Sequence, residues 1–335
     1  MPLTSTERLQ EAFSLALEDR SPGYQDLVSN ANAILTAMRQ NDMFQSFSGP
    51  KIRERLMFAE SGTYKRYSGY DFLNPAPVEL INDAEFEPRM AAVSVTLSNE
   101  DILKNSGESQ LLDIMTVHIE AAEQELQDRF VEDLHSDGTA ADQIGGLQLA
   151  IPTDPTSGTY GGIDRSTYAI WRTSKYDADT DFTGLTQVTS ATVKPIFNQI
   201  CIELSLGRMG PNLIAASQQH YLAYMAATEN IQRITDETRM SRLGFTSLRF
   251  YGAGKSMDIV LEGGIGTAMP DDVTYFLDTR NLKFRYHPDR NFTAFGGRQT
   301  PINQDAMVQH IGFMGELTLC NPRHMAKLYD SDTAT

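Results

Sequence analysis

The sequence predicts an α+β fold built around one long helix, and three observations carry that reading. Between 109 and 135, Leu112, Met115, Ile119, Ala122, Leu126 and Phe130 recur at spacings of three and four, which places them on a single helical stripe. Short alternating or continuously apolar runs, RMAAVSVTL at 89–97 and Asn212–Ala216 among them, read as strands on either side of it. Paired glycines at 145–146 and 161–162 lead to the single tryptophan, Trp171, with Arg172 beside it, in a stretch that holds turns and an aromatic anchor but no reactive constellation.

Composition bounds the possibilities. At 335 residues, 41% apolar and 9% aromatic, the chain can bury a substantial core. No run of about 18 apolar residues is present, so a membrane span is not expected. The N-terminus MPLTSTERLQEAF is charged and unlike a signal peptide, which points to the cytoplasm. Cys201 and Cys320 lie far apart in apolar surroundings and read as buried thiols rather than a disulfide. A net charge of −16 argues against binding that depends on releasing nucleic-acid counterions. The charge is unevenly spread: residues 51–67 carry five basic and two acidic residues (net +3), and residues 100–137 carry eleven acidic and two basic ones (net −9).

Taken in order, residues 4–40 read as two short helices. Thr4 with Glu7 fits a capping box, a break falls near Arg20, and Ser21-Pro22 restarts the helix with proline at its first position. RERLMFAE and TYKRYSGYDFL, separated by Ser61-Gly62, read as a charged and aromatic hairpin. It has few aliphatic side chains, so it needs another surface to lie on. Residues 75–87 read as a loop and Arg89–Leu97 as a strand. A helical region opens at Ser98-Asn99-Glu100. After Gly107 the long helix runs from Ser109 to His135, about 40 Å at 1.5 Å per residue. Its other faces carry Asp113, Glu120, Glu123, Glu125, Asp128, Glu132 and Asp133, either a solvated surface or a docking face for a basic partner.

Residues 144–172, IGGLQLAIPTDPTSGTYGGIDRSTYAIWR, read as a GGL strand, a loop, a Gly-Gly turn and a second strand ending at Trp171. Polar, acidic residues 173–189 read as a passage between domains. A helix from Ser190 to Leu206 follows, with Pro195 tolerable only near its first turn. Next come the strand at Asn212–Ala216, a helix capped by Ser217, and two or three strands within Leu243–Gly266. VTYFLDTRNLKFRYHPD alternates aromatic and charged residues, and Gln309–Tyr329 reads as a closing strand pair. A basic strip at 280–298, with Asp289 its sole acid, suits either an inner surface or, preferably, a contact between subunits.

Enzyme and metal motifs fail on spacing. GAGKS at 252–256 lacks the earlier glycine of a phosphate loop, since position 249 is Arg249, and Gly264-Ile265-Gly266 lacks the third glycine of a dinucleotide fingerprint. Six scattered histidines form no metal spacing. Asp177, Asp179 and Asp181 are followed by Phe182 where a calcium loop requires glycine. No serine sits in a G-x-S-x-G elbow.

The order of elements, with Gly145-Gly146-Leu147, Gly161-Gly162-Ile163-Asp164-Arg165, Trp171-Arg172 and FRYHPDRNF at 284–292, resembles the major capsid proteins of tailed bacteriophages, the Hong Kong 97-type fold. The resemblance covers nearly the whole chain. It implies an N-terminal arm (1–48), an extended β-hairpin loop (49–88), a peripheral domain with the long spine helix (89–188), an axial α/β domain (189–270) and a C-terminal β segment returning to the peripheral domain (271–335). It implies a structural subunit that assembles with itself, as hexamers and pentamers, into an icosahedral virion shell around double-stranded DNA in the host cytoplasm. An encapsulin-like cargo shell is the alternative.

The resemblance implies no catalytic residue, cofactor or metal. Because only about 48 residues precede the loop, it implies a separate scaffolding protein or an already processed form, and a portal. In such shells the loop of one subunit lies across its neighbour, so Lys51, Arg53, Arg55, Lys65 and Arg66 are expected to meet Asp113, Glu120, Glu123 and Asp128 of the next copy. Charge there would set register more than affinity, which would come from large apolar contacts. Gly145, Gly146, Gly161, Gly162, Trp171 and Arg172 are expected to be structural anchors.

Overall fold

In the computed structural model, residues 32–57, 64–72, 81–98, 100, 108–185, 187–207, 209–228, 247–252, 254–262, 269–299 and 305–330 are described. The Thr4–Glu7 capping box, the break at Arg20, the Ser21-Pro22 restart and the Ser61-Gly62 turn lie outside them. Among the described residues the first element is helix α1 (Ala33–Gln40), capped by the side chain of Asn32. It continues through β1 (Phe44–Ser46), β2 (Ile52–Met57), β3 (Ile81–Phe86) and β4 (Arg89–Ser98) to the spine helix α2 (Glu108–Leu134).

On α2 the expected stripe is the buried one: Ile119, Ala122, Leu126 and Phe130 are buried, whereas Glu120 and Asp128 are exposed. The side chains of Leu112, Asp113 and Met115 are outside the description. The buried stripe faces a four-stranded sheet of order β1-β12-β13-β4, in which β12 spans Leu282–Gln299 and β13 spans Ala306–Leu319. Phe130 sits among Phe284, Phe292 and Phe313, with ring centroids 5.1–5.6 Å away, so one aromatic residue ties the helix to both long strands.

A second sheet has the order β7-β14-β11-β8-β10-β9, from β7 (Ser174–Asp177), β8 (Leu213–Ala216), β9 (Ser247–Gly252), β10 (Lys255–Leu261), β11 (Val273–Leu277) and β14 (Ala326–Tyr329). Its central strand, LIAA, is apolar at every position because both faces are covered. Leu213 and Ala215 join the core shared with the spine helix. Ile214 and Ala216 join a second core under α4 (Val193–Leu204) and α5 (Gln218–Thr228). There Phe197 is ringed by Tyr224, Phe250 and Phe276. Within GAGKS, Gly252 ends β9 and pairs with Lys255 at the start of β10, and Gly254 between them has φ +74°.

Several expectations are corrected. The strand partner of β2 is β3, 81–86, in the stretch read as a loop, and Tyr64–Phe72 is not a strand. Leu147–Ala150 is a single helical turn, α3, rather than a GGL strand. Ala169–Trp171 is a turn of 3₁₀ helix rather than a strand end. Residues 174–177, read as interdomain passage, are an edge strand parallel to β14. The closing strands β13 and β14 do not pair with each other. The segment 271–335 divides: β12 and β13 lie in the spine-helix sheet, and β11 and β14 lie in the other.

Candidate assembly site at the root of the extended hairpin

The β2–β3 ribbon alternates strictly. Ile52, Glu54, Leu56, Ala84 and Phe86 face inward and are buried, while Arg53, Arg55, Asp83 and Glu85 face out. The register sets Arg53 opposite Glu85 and Arg55 opposite Asp83. Lys51 and Arg53 both reach Glu85, at 2.9 and 3.2 Å. Each of these pairs is solvent-exposed and screened. The basic residues expected to seek a neighbour's acids are thus partly matched within their own ribbon. Counted over 49–88, five bases face seven acids, a net of −2 in place of the +3 of 51–67.

The inward Glu54 is buried beside the apolar Ile52, Leu56, Ala84 and Phe86. Its carboxylate accepts hydrogen bonds from Arg285 Nε (2.5 Å) and Lys283 Nζ (3.0 Å) on β12. The Cys320 thiol lies 3.3 Å from it. Burial opposes its ionisation, but the hydrogen bonds from Arg285 and Lys283 outweigh burial and hold the carboxyl below its usual range. Sequence reading counted Glu54 only as one acid in the loop. The signal was present, since period-two alternation in IRERL puts a carboxylate between two aliphatics on one face.

Residues 144–172 form the platform beneath this ribbon. Gly161 and Gly162, at φ +59° and +73°, make the two-residue turn joining β5 (Thr159–Tyr160) to β6 (Ile163–Asp164). The Gly161 carbonyl accepts the Glu85 N–H at 2.9 Å. A side chain at 161 would come within 2.8 Å of the Phe86 ring. Phe86 packs edge-on against Tyr160 at 5.0 Å, and Tyr160 stacks on Trp171 at 6.0 Å. Trp171, buried, donates its Nε1–H to the Tyr160 carbonyl.

Arg172 ties the end of the 3₁₀ turn to the residues after β6 through the carbonyls of Arg165 and Ser166. Buried Arg165 donates to the carbonyls of Leu149 and Ala150. Gly146 lies against the end of the spine helix, where a Cβ would be 2.5 Å from the Leu134 carbonyl oxygen and from the Ser136 nitrogen. Gly145 N–H donates to Glu316 on β13 at 2.8 Å. Gly145, Gly146, Gly161, Gly162, Trp171 and Arg172 therefore lie in one connected stretch that touches the hairpin root, the spine helix and β13.

The remaining expected contact residues separate. Lys65 and Arg66 lie on the exposed stretch Tyr64–Phe72, where Tyr64, Tyr67, Tyr70 and Phe72 are 66–103% exposed. Glu120 and Asp128 are exposed and Glu123 half-buried on α2. The basic strip at 280–298 is engaged internally: Arg280 pairs with Asp278, Lys283 and Arg285 hold Glu54, and Arg290 stacks on Phe295 at 3.6 Å. These four residues thus have partners within the chain, and the Arg298 side chain is outside the description.

This architecture has counterparts among solved structures. It superposes on the capsid asymmetric unit of cyanophage A-1(L) with a TM-score of 0.64 at 13% identity, covering 90% of this chain and 93% of that one. The chain has the tailed-phage capsid fold. Against the capsid of an empty GTA particle the TM-score is 0.56 at 9% identity, with 88% and 96% covered, and against Mycobacterium phage Cain it is 0.51 at 12% identity, with 90% and 91% covered. No protein-family profile and no curated protein sequence matches the chain. The likeness is therefore one of overall fold at low sequence identity.

Proposed function

We propose that this protein is the structural subunit of an icosahedral virion shell that assembles as hexamers and pentamers and encloses double-stranded DNA. The observation that carries the reading is the capsid fold over nine-tenths of the chain, with a hairpin whose root is built firmly into the subunit while the segment beyond it is exposed. Its work is assembly, not catalysis. A separate scaffolding protein and a portal complete the proposed partners, and assembly takes place in the host cytoplasm. The proposed division is arm 1–48, extended loop 49–88, peripheral domain 89–188, axial domain 189–270 and C-terminal segment 271–335.

The hairpin would still lie across a neighbouring copy, but the balance of forces shifts. With Lys51 and Arg53 matched to Glu85, attraction to Asp113, Glu120, Glu123 and Asp128 of the next spine helix would rest on Arg55, Lys65 and Arg66. The exposed Tyr64, Tyr67, Tyr70 and Phe72 would supply the apolar contact.

Electron microscopy of the purified chain tests this directly. Closed shells are expected, and monodisperse monomers under every assembly condition would refute the reading. Shells that co-purify with an enzyme cargo instead of DNA would favour the encapsulin alternative.

A further inference from the structure

Glu54 poses a physical question. Ile52, Leu56, Ala84 and Phe86 share its buried face, and a leucine there would avoid the cost of desolvating a carboxylate and two cations. Buried ion pairs are poor sources of stability compared with well-packed apolar side chains. What they supply is a unique position. A purely apolar ribbon face tolerates sliding, whereas a one-residue slip here would turn Glu54 out and a basic neighbour, Arg53 or Arg55, in. A two-residue slide would carry the carboxylate roughly 7 Å from its partners and leave Lys283 and Arg285 uncompensated.

The other strand of the ribbon is held separately, by the Glu85 N–H on the Gly161 carbonyl and by Phe86 on Tyr160. One attachment on each strand fixes both the position and the rotation of the ribbon. We propose that Glu54 is a positioning residue: by pairing with Lys283 and Arg285 it sets the direction in which the extended hairpin leaves the subunit, and hence where on a second copy the hairpin lands. The clamp itself follows from the geometry of one chain; the landing place rests on the shell reading.

Glu54→Gln in the full chain, read by amide hydrogen exchange and by particle formation, tests the proposal. Amides of 52–56 and 84–86 are expected to exchange about tenfold or more faster, with the spine helix and the six-stranded sheet unchanged. Particles are expected to be lost or to spread in diameter. Root exchange within about twofold of the parent, or uniform particles at parental yield, overturns the proposal.

Glu54→Lys, alone and with Lys283→Glu, keeps the test decisive should the glutamine variant not fold. The exchanged pair is expected to recover particles that the single variant loses, and a double variant no better than the single one overturns the clamp. If the parent chain forms no particles at all, the shell reading fails while exchange at the root still decides the role of Glu54.

Discussion

At the scale of single residues, the structure is most exacting where backbone meets backbone or where charge is buried. Any side chain at 146 would collide with fixed main-chain atoms of Leu134 and Ser136. Gly146→Ala is therefore expected to cost about 2 kcal/mol or more, seen as a lower midpoint in urea with an unchanged slope. Glu316 gives a pH signature. Burial pushes its carboxyl up to about 8, with the Gly145 N–H opposing. A freely exposed glutamate titrates near 4.5, so between these two values the native state holds a proton that the unfolded state has released. Stability from this group is greatest near the lower value, falls as pH rises through that window and levels above about 8. Glu316→Gln keeps an acceptor for Gly145 and removes the titration. Relative to the parent it should gain on the order of a few kcal/mol between pH 5 and pH 8 in chemical denaturation. A parent and variant with parallel pH profiles would refute the assignment.

At the scale of elements, the spine helix and β4 were legible from their own periodicity and β8 from a short continuous apolar run: on the helix, the buried Ile119, Ala122, Leu126 and Phe130 are the residues the three-and-four spacing selects. The hairpin was only half legible. β2 pairs with a strand whose Ile81 follows Met57 by a long excursion, and the outward Asp83 and Glu85 made INDAEF resemble a polar loop. Non-local pairing leaves no mark within a short window, and the nearby Ser61-Gly62 offered a local alternative. Likewise Gly145-Gly146 reads as a turn before a strand, when what it serves is close approach to the end of a helix.

The exposed stretch carries its own prediction. Replacing Tyr64, Tyr67, Tyr70 and Phe72 together by serine touches no packed residue, so thermal unfolding of the subunit should shift by no more than a few degrees. Particle yield should collapse. Unaltered particle yield would show that this segment is not a contact.

At the scale of the whole molecule, the C-terminal segment supplies strands to both sheets, so the subunit is expected to unfold as one cooperative unit. With most basic residues of the hairpin root and the 280–298 strip matched internally, assembled particles should tolerate about 0.5 M salt, since screening acts on exposed charge and not on apolar contact. Sedimentation across a salt series checks this, and dissociation at moderate salt would return the charge-driven pairing to favour. The single tryptophan has one further consequence. Because Trp171 stacks on Tyr160 and Tyr160 meets Phe86 of the ribbon, all indole emission of the chain originates beneath the hairpin root. Seating or lifting of that ribbon should shift the emission colour, so the subunit carries an intrinsic optical gauge of its own arm, readable in real time without a label.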